Sequence, residues 1–308
     1  MYSVCVLMST YNGERFIRQQ IETILCQKNV QVSLIVRDDG SNDATLDILD
    51  EYKNKGLLKW YTGDNLGPAK SFMHLLENAP EFEYYSFADQ DDIWYPLKLN
   101  KAVEAIRTIE KEKSSSKILY VCNKNVVDAN GHIKYYAAHK FKQSAGLAFL
   151  ECHSSGCCMV MNSKLRNYVC THKPKEWIML HDYWVYLIAN SLGKVIFDNE
   201  PLMGYRIHGN NAAGIDEVGF FTKIKRLFSK DCVKYHASDI AEILIEACGT
   251  DMPNTNLKLV NIISKSGKSF WARLYMILSP QFTIVGGNFK QKIYAKLKIL
   301  QKKNGLIT

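Results

Sequence analysis

Carboxylates dominate the part of this chain that could do chemistry. Asp89-Gln90-Asp91-Asp92 sets three of them within four residues, directly after the apolar run Tyr84–Ala88. Acids this close repel one another unless a cation or a donor-rich ligand lies between them. A hard divalent cation meets that need, taking its remaining oxygens from phosphates and water. The competing explanation is an acidic turn before the helix that Pro96 announces, since Asp serves both turns and N-caps. Other polar clusters are Ser9-Thr10-Tyr11-Asn12-Gly13, Asp38-Asp39-Gly40-Ser41-Asn42-Asp43 and Asn65-Leu66-Gly67-Pro68, followed by His181-Asp182-Tyr183-Trp184 and Tyr205-Arg206-Ile207-His208-Gly209-Asn210-Asn211. The chain has no G-x-G-x-x-G after its first strand, no P-loop and no G-x-S-x-G elbow. What remains is chemistry of a divalent cation with a phosphate-bearing ligand.

The elements that must position these clusters alternate. Apolar runs at 2–8, 30–36, 57–62 and 84–88 read as strands, and helical spacing occupies 14–26, 44–53, 69–77 and 97–109. Such a βαβ series gives a mostly parallel sheet covered on both faces. Right-handed crossovers then bring every strand-end loop to one sheet edge. Further on, Ile118–Val127 reads as a strand ending in the turn 128–132, Trp177–Leu187 as a helical pattern and Gly193–Phe197 as a strand. Asp198-Asn199-Glu200-Pro201 follows as a polar break, and beyond about residue 213 the pattern is helical throughout.

At 308 residues, with 47% hydrophobic and 23% charged residues, the chain has the make-up of a globular protein with a sizeable core. No run approaches the roughly 18 apolar residues of a membrane span. No basic segment precedes the first apolar run, so a signal peptide is not expected and the cytoplasm is. Nine cysteines, an odd number scattered through apolar segments, argue for reduced thiols. Cys152-His153 and Cys157-Cys158 lack the paired spacing of a zinc site. The net charge of +8 is uneven: after Asp251 there are ten Lys and Arg and no acid, while the rest of the chain carries 29 basic and 31 acidic groups. Such a tail suits an anionic partner.

The four strand-end motifs, in this order, resemble those of family-2 glycosyltransferases of the GT-A fold, over residues 1 to about 212. His181-Asp182-Tyr183-Trp184 and the segment 205–211 are similar to the rhamnosyltransferase branch. The resemblance implies an α/β, Rossmann-like, mostly parallel sheet flanked by helices: a nucleotide-sugar-binding and catalytic domain at 1–212, then a helical, basic region at 213–308. It also implies roles. Thr10, Tyr11 and Asp39 line the base, where a carboxylate suits the N3–H of uracil or thymine. Asn12, Asn65, Lys70 and Gln90 belong to the same nucleotide-sugar site, and Asp89 faces the ribose. Asp91 holds Mn²⁺ or Mg²⁺; sequence alone does not choose between Asp91 and Asp92, and the family position favours Asp91. His208 is either a second metal ligand or an ordinary packed histidine, and Arg206 is a cation for phosphate. Asp182 is the general base, a role compatible with capping its own helix. Gly156, Cys157, His181 and Trp184 mark the acceptor side.

The activity so implied is inverting and metal-dependent. It moves a single sugar, L-rhamnose from dTDP-β-L-rhamnose, to a hydroxyl of a cell-surface polysaccharide or lipid-linked glycan precursor. The alternatives are a UDP-hexose transferase (glucosyl or galactosyl) of the same fold, or a non-catalytic membrane adaptor. No Q-x-x-R-W motif is present, which favours single addition over processive polymerisation. In the tail, Phe289, Ile293, Leu297 and Leu300 share a face with most lysines off it. That pattern fits a helix lying peripherally on the inner face of the cell membrane, or one packed on the catalytic domain. The tail aromatics lack the platform arrangement of single-strand binders, so nucleic acid is not an expected partner.

Overall fold

The computed structural model describes residues 1–114, 116–136, 146–150, 155–208, 236–283 and 289–300. Its centre is a mixed sheet with strand order β3-β2-β1-β4-β8-β6-β9-β5, and β7 paired to β6. The strands are β1 (Tyr2–Thr10), β2 (Val30–Asp38), β3 (Lys59–Thr62), β4 (Tyr84–Ala88), β5 (Ile93–Trp94), β6 (Ile118–Val127), β7 (Ile133–Tyr136), β8 (Met159–Asn162) and β9 (Lys194–Arg206). β1 pairs in parallel with β2 and β4, β2 with β3, and β6 with β9. β8 is antiparallel to both its neighbours, β4 and β6. The expected mostly parallel sheet is therefore present, with β8, β5 and β7 running against the prevailing direction.

Val4–Met8 and Tyr84–Ala88 are buried along their whole length. Both faces of these central strands are covered, which is why they read as continuous apolar runs rather than alternating ones. The helices flanking them are α1 (Ile17–Leu25), α2 (Thr45–Asn54), α3 (Gly67–Asn78), α4 (Lys98–Glu112), α5 (Ser163–Thr171) and α6 (His181–Leu192). From β1 the chain builds outward to β2 and β3, then returns to place β4 on the other side of β1. That reversal opens a crevice at the carboxyl ends of β1 and β4, the place where open α/β sheets bind ligands.

One expectation is overturned for an identifiable reason. The polar stretch 198–201 is part of β9, not a break. The β6–β9 register shifts on either side of Asn123, which pairs with Pro201, and such an irregularity accommodates a residue with no N–H to donate. Asp198 is held there by Tyr120, whose hydroxyl donates at 2.6 Å. Helix α5 carries an inward Arg166, which breaks its apolar period. The guanidinium donates to the carbonyls of Leu76 at 3.0 Å and Ala79 at 2.7 Å, so a buried cation is satisfied by the end of α3.

The expected division at 212–213 falls outside the described residues. Beyond it lie α7 (Ala237–Cys248), α8 (Asn254–Lys265), α9 (Phe270–Leu278) and α10 (Phe289–Ile299), the helical extension. Their apolar residues Leu244, Val260, Ile263, Met276 and Ile299 join the same buried cluster as the sheet. In α10 the buried line is Ala295 and Ile299, while Phe289 and Leu300 are exposed. The face read from the sequence is thus not the one that packs. Lys298 donates to the Leu150 carbonyl at 2.9 Å, and Lys296 to that of Ile277 at 2.6 Å. These bonds tie two lysines of the basic tail into the fold. No helix among the described residues is long and apolar enough to cross a membrane.

Candidate active site

The loops after β1 and β2 are stitched together by side chains. Asp38, fully buried, accepts from the N–H groups of Gly40 at 3.0 Å and Ser41 at 2.9 Å, and from the Thr62 hydroxyl at 3.0 Å. This fixes the turn at Gly40, whose φ of +90° lies in the left-handed region. Ser41 in turn accepts from the Asn12 N–H at 2.8 Å, and Thr45 from that of Gly13 at 2.8 Å. Asn12 adopts φ +48° and receives the Asn42 N–H on its side chain at 2.9 Å. Its side chain is therefore spent on the loop. Gln90 reaches across from the acidic turn: its Oε1 accepts from Thr10 Oγ1 at 2.5 Å and the Tyr11 N–H at 2.9 Å, and its amide donates to the Tyr11 carbonyl at 3.1 Å. Gln90 thus sets the height of the Tyr11 loop.

Asp39 sits at the crevice floor, ion-paired with the buried Arg37. It accepts the N–H groups of Leu66 at 3.0 Å and Gly67 at 2.8 Å, at the start of α3. Arg37 is held in turn by Ser71 at 3.0 Å and the Asp64 carbonyl at 2.9 Å. Three of the carboxylate's roughly four acceptor positions are occupied, which leaves capacity for one more donor from the cavity. Asn65 accepts from Gly67 N–H at 3.1 Å.

In the acidic turn the three carboxylates differ. Asp92 is fully buried, and burial together with Asp89 and Asp91 pushes its carboxyl well above the usual range. Asp89 is pushed up to about 7, by burial first and then by the charges of Asp91 and Asp182. Cys157 lies beneath them, and Asp89, Asp92 and Cys157 each present a ligand atom within 4.8 Å of the others. Its hydrogen bond to Cys158 and burial push the Cys157 thiol up, and the thiol hydrogen-bonds to Asp89. Asp91 instead meets His208, with Nε2 2.6 Å from Oδ2, and the imidazole packs on Phe16 at 4.8 Å.

Lys124, on β6, is a participant that the sequence reading missed. Its ammonium donates to Ser155 Oγ at 2.6 Å and lies 3.9 Å from the Tyr205 ring centroid. The field of Cys158, Cys157, Asp92 and Asp89 outweighs burial and raises its pKa. A lysine between two asparagines in an otherwise apolar strand was the available signal.

The opposite wall is built by the Ser155–Cys158 segment and the start of α6. Asp182 accepts the Gly156 N–H at 2.9 Å on one oxygen and the Tyr183 N–H at 2.7 Å on the other. Behind it His181 stacks on Phe72, with centroids 4.1 Å apart, and burial holds its imidazole down at about 4. Gly156 has no space for a side chain: a Cβ there would fall 2.8 Å from His181 Nε2.

These walls enclose a cavity of about 370 Å³, the size of a small-ligand site. It brings together Thr10, Tyr11, Asp39, Asn65, Asp89, Gln90, Asp91, Gly156, His181 and Asp182. Tyr205 and Phe72 also line it. Asn12, Lys70, Cys157, Trp184, Arg206 and His208 are not part of its lining. Lys70 is exposed on α3, and Trp184 is a core residue whose indole donates to the His172 carbonyl at 3.0 Å. Arg206 is buried. Its guanidinium donates to the carbonyls of Asp91 at 2.7 Å and Ala129 at 2.6 Å and to Gln19 at 2.6 Å. It braces the acidic turn from behind.

Residues 5–168 match the profile of the family described as glycosyl transferase family 2. The chain belongs to that family. A relative from Shigella flexneri, the dTDP-rhamnosyl transferase RfbG, is 30% identical over 235 residues, which cover 71% of this chain and 78% of that protein. The putative teichuronic acid biosynthesis glycosyltransferase TuaG of Bacillus subtilis is 33% identical over 103 residues, 33% of this chain and 40% of its own. Among solved structures, S. aureus TarS 1–349 in complex with UDP-GlcNAc aligns with a TM-score of 0.56 at 18% identity, covering 90% of this chain and 76% of that one. The mannosyltransferase PcManGT from Pyrobaculum calidifontis, in complex with GDP-Man and Mn²⁺, aligns at 0.54 and 13% identity, covering 96% and 72%. At these identities the likeness is one of fold, and the fold is GT-A.

As a family-2 glycosyltransferase the protein is an enzyme, and the adaptor alternative falls away. Members of this fold commonly use a divalent cation, and the donor set here fits one. Asp91 offers a carboxylate oxygen and His208 an imidazole nitrogen, and the two atoms lie 2.6 Å apart in a direct hydrogen bond. The carboxylate suits Mn²⁺ or Mg²⁺ when a diphosphate and water complete the shell, and the imidazole favours Mn²⁺.

Proposed function

We propose that this glycosyltransferase is inverting and metal-dependent, and transfers a single L-rhamnosyl unit from dTDP-β-L-rhamnose to a hydroxyl of a cell-surface polysaccharide or lipid-linked glycan precursor. The observation that carries the reading is Asp182, a carboxylate on the wall of the cavity whose floor holds Asp39, Asp89 and Asp91. The RfbG relative supports the rhamnosyl donor.

In this reading the thymine N3–H donates to the open acceptor position of Asp39, and the Tyr11 loop, set by Gln90, covers the base. Asp89 accepts from the ribose. Asp91 and His208 would hold the ion, which when bound neutralises charge developing on the leaving diphosphate. Asp182 takes the proton of the acceptor hydroxyl as its oxygen bonds to the anomeric carbon. The bond from that carbon to the diphosphate oxygen breaks on the opposite face, dTDP departs and configuration inverts. The two backbone donors keep Asp182 aimed.

A lipid-linked acceptor brings the enzyme to the cytoplasmic membrane surface, and the acid-free basic tail suits anionic headgroups there. A donor screen tests the reading, following nucleotide release from dTDP-rhamnose, UDP-glucose, UDP-galactose and UDP-GlcNAc. Turnover with dTDP-rhamnose at least tenfold above the others is expected. A UDP-hexose preferred over dTDP-rhamnose removes the rhamnosyl assignment and leaves the UDP-hexose alternative.

A further inference from the structure

We infer that α9 is a docking face for an anionic lipid bilayer, lying along its surface with Trp271, Tyr275 and Leu278 turned into it. The inference rests on the peripheral-membrane part of the proposed function and assigns the contact to a different helix from the one the tail pattern suggests.

Helix α9 is inside out for a water-soluble surface. Its sequence, Phe-Trp-Ala-Arg-Leu-Tyr-Met-Ile-Leu, has one charged residue, and Arg273 is turned back to the Ser266 carbonyl at 2.9 Å. Ala272 and Met276 pack inward. Trp271, Tyr275 and Leu278, spaced to share the opposite face, are 75%, 46% and 75% exposed. Phe270, at 63%, extends the patch beside Trp271, with ring centroids 5.6 Å apart. Single exposed apolar residues are unremarkable, but an aromatic stripe along a helix marks an interaction surface. Trp and Tyr are the side chains that settle at the headgroup boundary.

Charge selects the occupant. From residue 252 to the end there is no Asp or Glu, and the exposed lysines lie on the segments next to α9: Lys265 at the end of α8, Lys268 in the connection, and Lys290 and Lys292 on α10, which packs against α9. An apolar stripe flanked by lysines matches acyl chains beneath anionic headgroups. A second copy of the chain would bring like charges together. The ends of α9 are also prepared for a poorly hydrated setting: Ser269 caps the first turn, and Lys296 donates to the Ile277 carbonyl in the last. Few backbone groups there are left to seek water.

The test is co-sedimentation of the full chain with phosphatidylglycerol vesicles, against phosphatidylcholine vesicles, at low salt. The parent should bind phosphatidylglycerol at least tenfold more than phosphatidylcholine. Trp271→Ser/Tyr275→Ser/Leu278→Ser should lose at least tenfold of that binding, while turnover of a water-soluble acceptor stays within twofold of the parent. The variant Lys265→Ser/Lys268→Ser/Lys290→Ser/Lys292→Ser should show the same loss. Binding retained by the α9 variant but lost by the lysine variant overturns the assignment to α9 and leaves a basic tail contact. No binding by the parent overturns both. A parent that is a dimer, converted by the α9 substitutions to monomer, shows instead a face for a second copy and also overturns the inference.

Discussion

The backbone N–H of Gly156 donates to Asp182 at 2.9 Å, and the same glycine packs flat on His181, where a Cβ would fall 2.8 Å from Nε2. One residue therefore aims Asp182, the proposed base, and limits the wall behind it. Gly156→Ala must push the segment outward by a few tenths of an ångström or more, lengthening that hydrogen bond. A displacement of about 1 Å at a catalytic group costs about 10²-fold in rate, and a smaller one less. Transfer should drop about tenfold or more while donor affinity, measured by titration of dTDP-rhamnose, changes little. Unchanged transfer would show that the Gly156 contact does not govern Asp182.

Asp182→Asn keeps the shape and one acceptor oxygen but removes the ability to take a proton. General-base catalysis contributes about 10²–10⁴-fold, so transfer should fall within that range with donor binding retained. A rate within threefold of the parent would remove Asp182 as the base. Donor binding lost in parallel would mean the residue holds substrate instead.

Much of this site was legible before the fold, because its residues sit where local rules are strong. Strand ends carrying Asp38-Asp39 and Asp89–Asp92 are marked by abrupt polarity changes, and the βαβ order places them on one edge. Side-chain direction was not legible. Arg206 looks like a phosphate ligand in sequence, yet the Asp91 and Ala129 carbonyls and Gln19 take its donors. Trp184 lies two residues from the base, but at helical spacing it faces the core. Lys124 escaped notice because its partners, Ser155 and Tyr205, are distant in sequence. Helix α9 hid similarly, since its apolar content reads as core until packing shows which side is covered.

The proposed metal dependence is separable by residue at the Asp91–His208 pair. Asp91→Asn should abolish the stimulation of donor turnover by Mn²⁺ or Mg²⁺, because the charged oxygen ligand is lost. His208→Ala should weaken metal activation by about tenfold and shift preference toward Mg²⁺, since imidazole favours the transition metal. Titrating each metal into EDTA-stripped enzyme checks both. Full parental activity in excess EDTA would defeat the metal reading.

His181 gives a stability signature. Burial depresses its folded pKa from 6.5 to about 4, so the folded state binds fewer protons than the unfolded chain between those values. Its contribution is complete above about pH 6.5 and is lost as pH falls toward 4, an effect on the order of 3 kcal/mol. His181→Phe can keep the stack on Phe72 and has no proton to bind. Urea unfolding of parent and variant from pH 7 to 4.5 should show the parent losing more stability on acidification. Parallel losses would mean that the imidazole is already solvated.

Lys124 stands behind the cavity wall, holding Ser155 by a charged hydrogen bond and the Tyr205 ring by a cation–π contact. Ser155 immediately precedes the glycine that aims Asp182, so the lysine acts on the base through the backbone. A charged hydrogen bond is worth about 1.5–3 kcal/mol and a desolvated cation–π contact about 2 kcal/mol. Lys124→Met should lower kcat about tenfold or more with a smaller change in the donor KM, because Tyr205 and Ser155 line the cavity without carrying the nucleotide motifs. Lys124→Arg keeps the charge and a donor, and should recover part of the loss. A purely structural role would lower thermal stability in Lys124→Met and leave kcat of the remaining folded enzyme intact. That outcome would take Lys124 out of the positioning of Asp182.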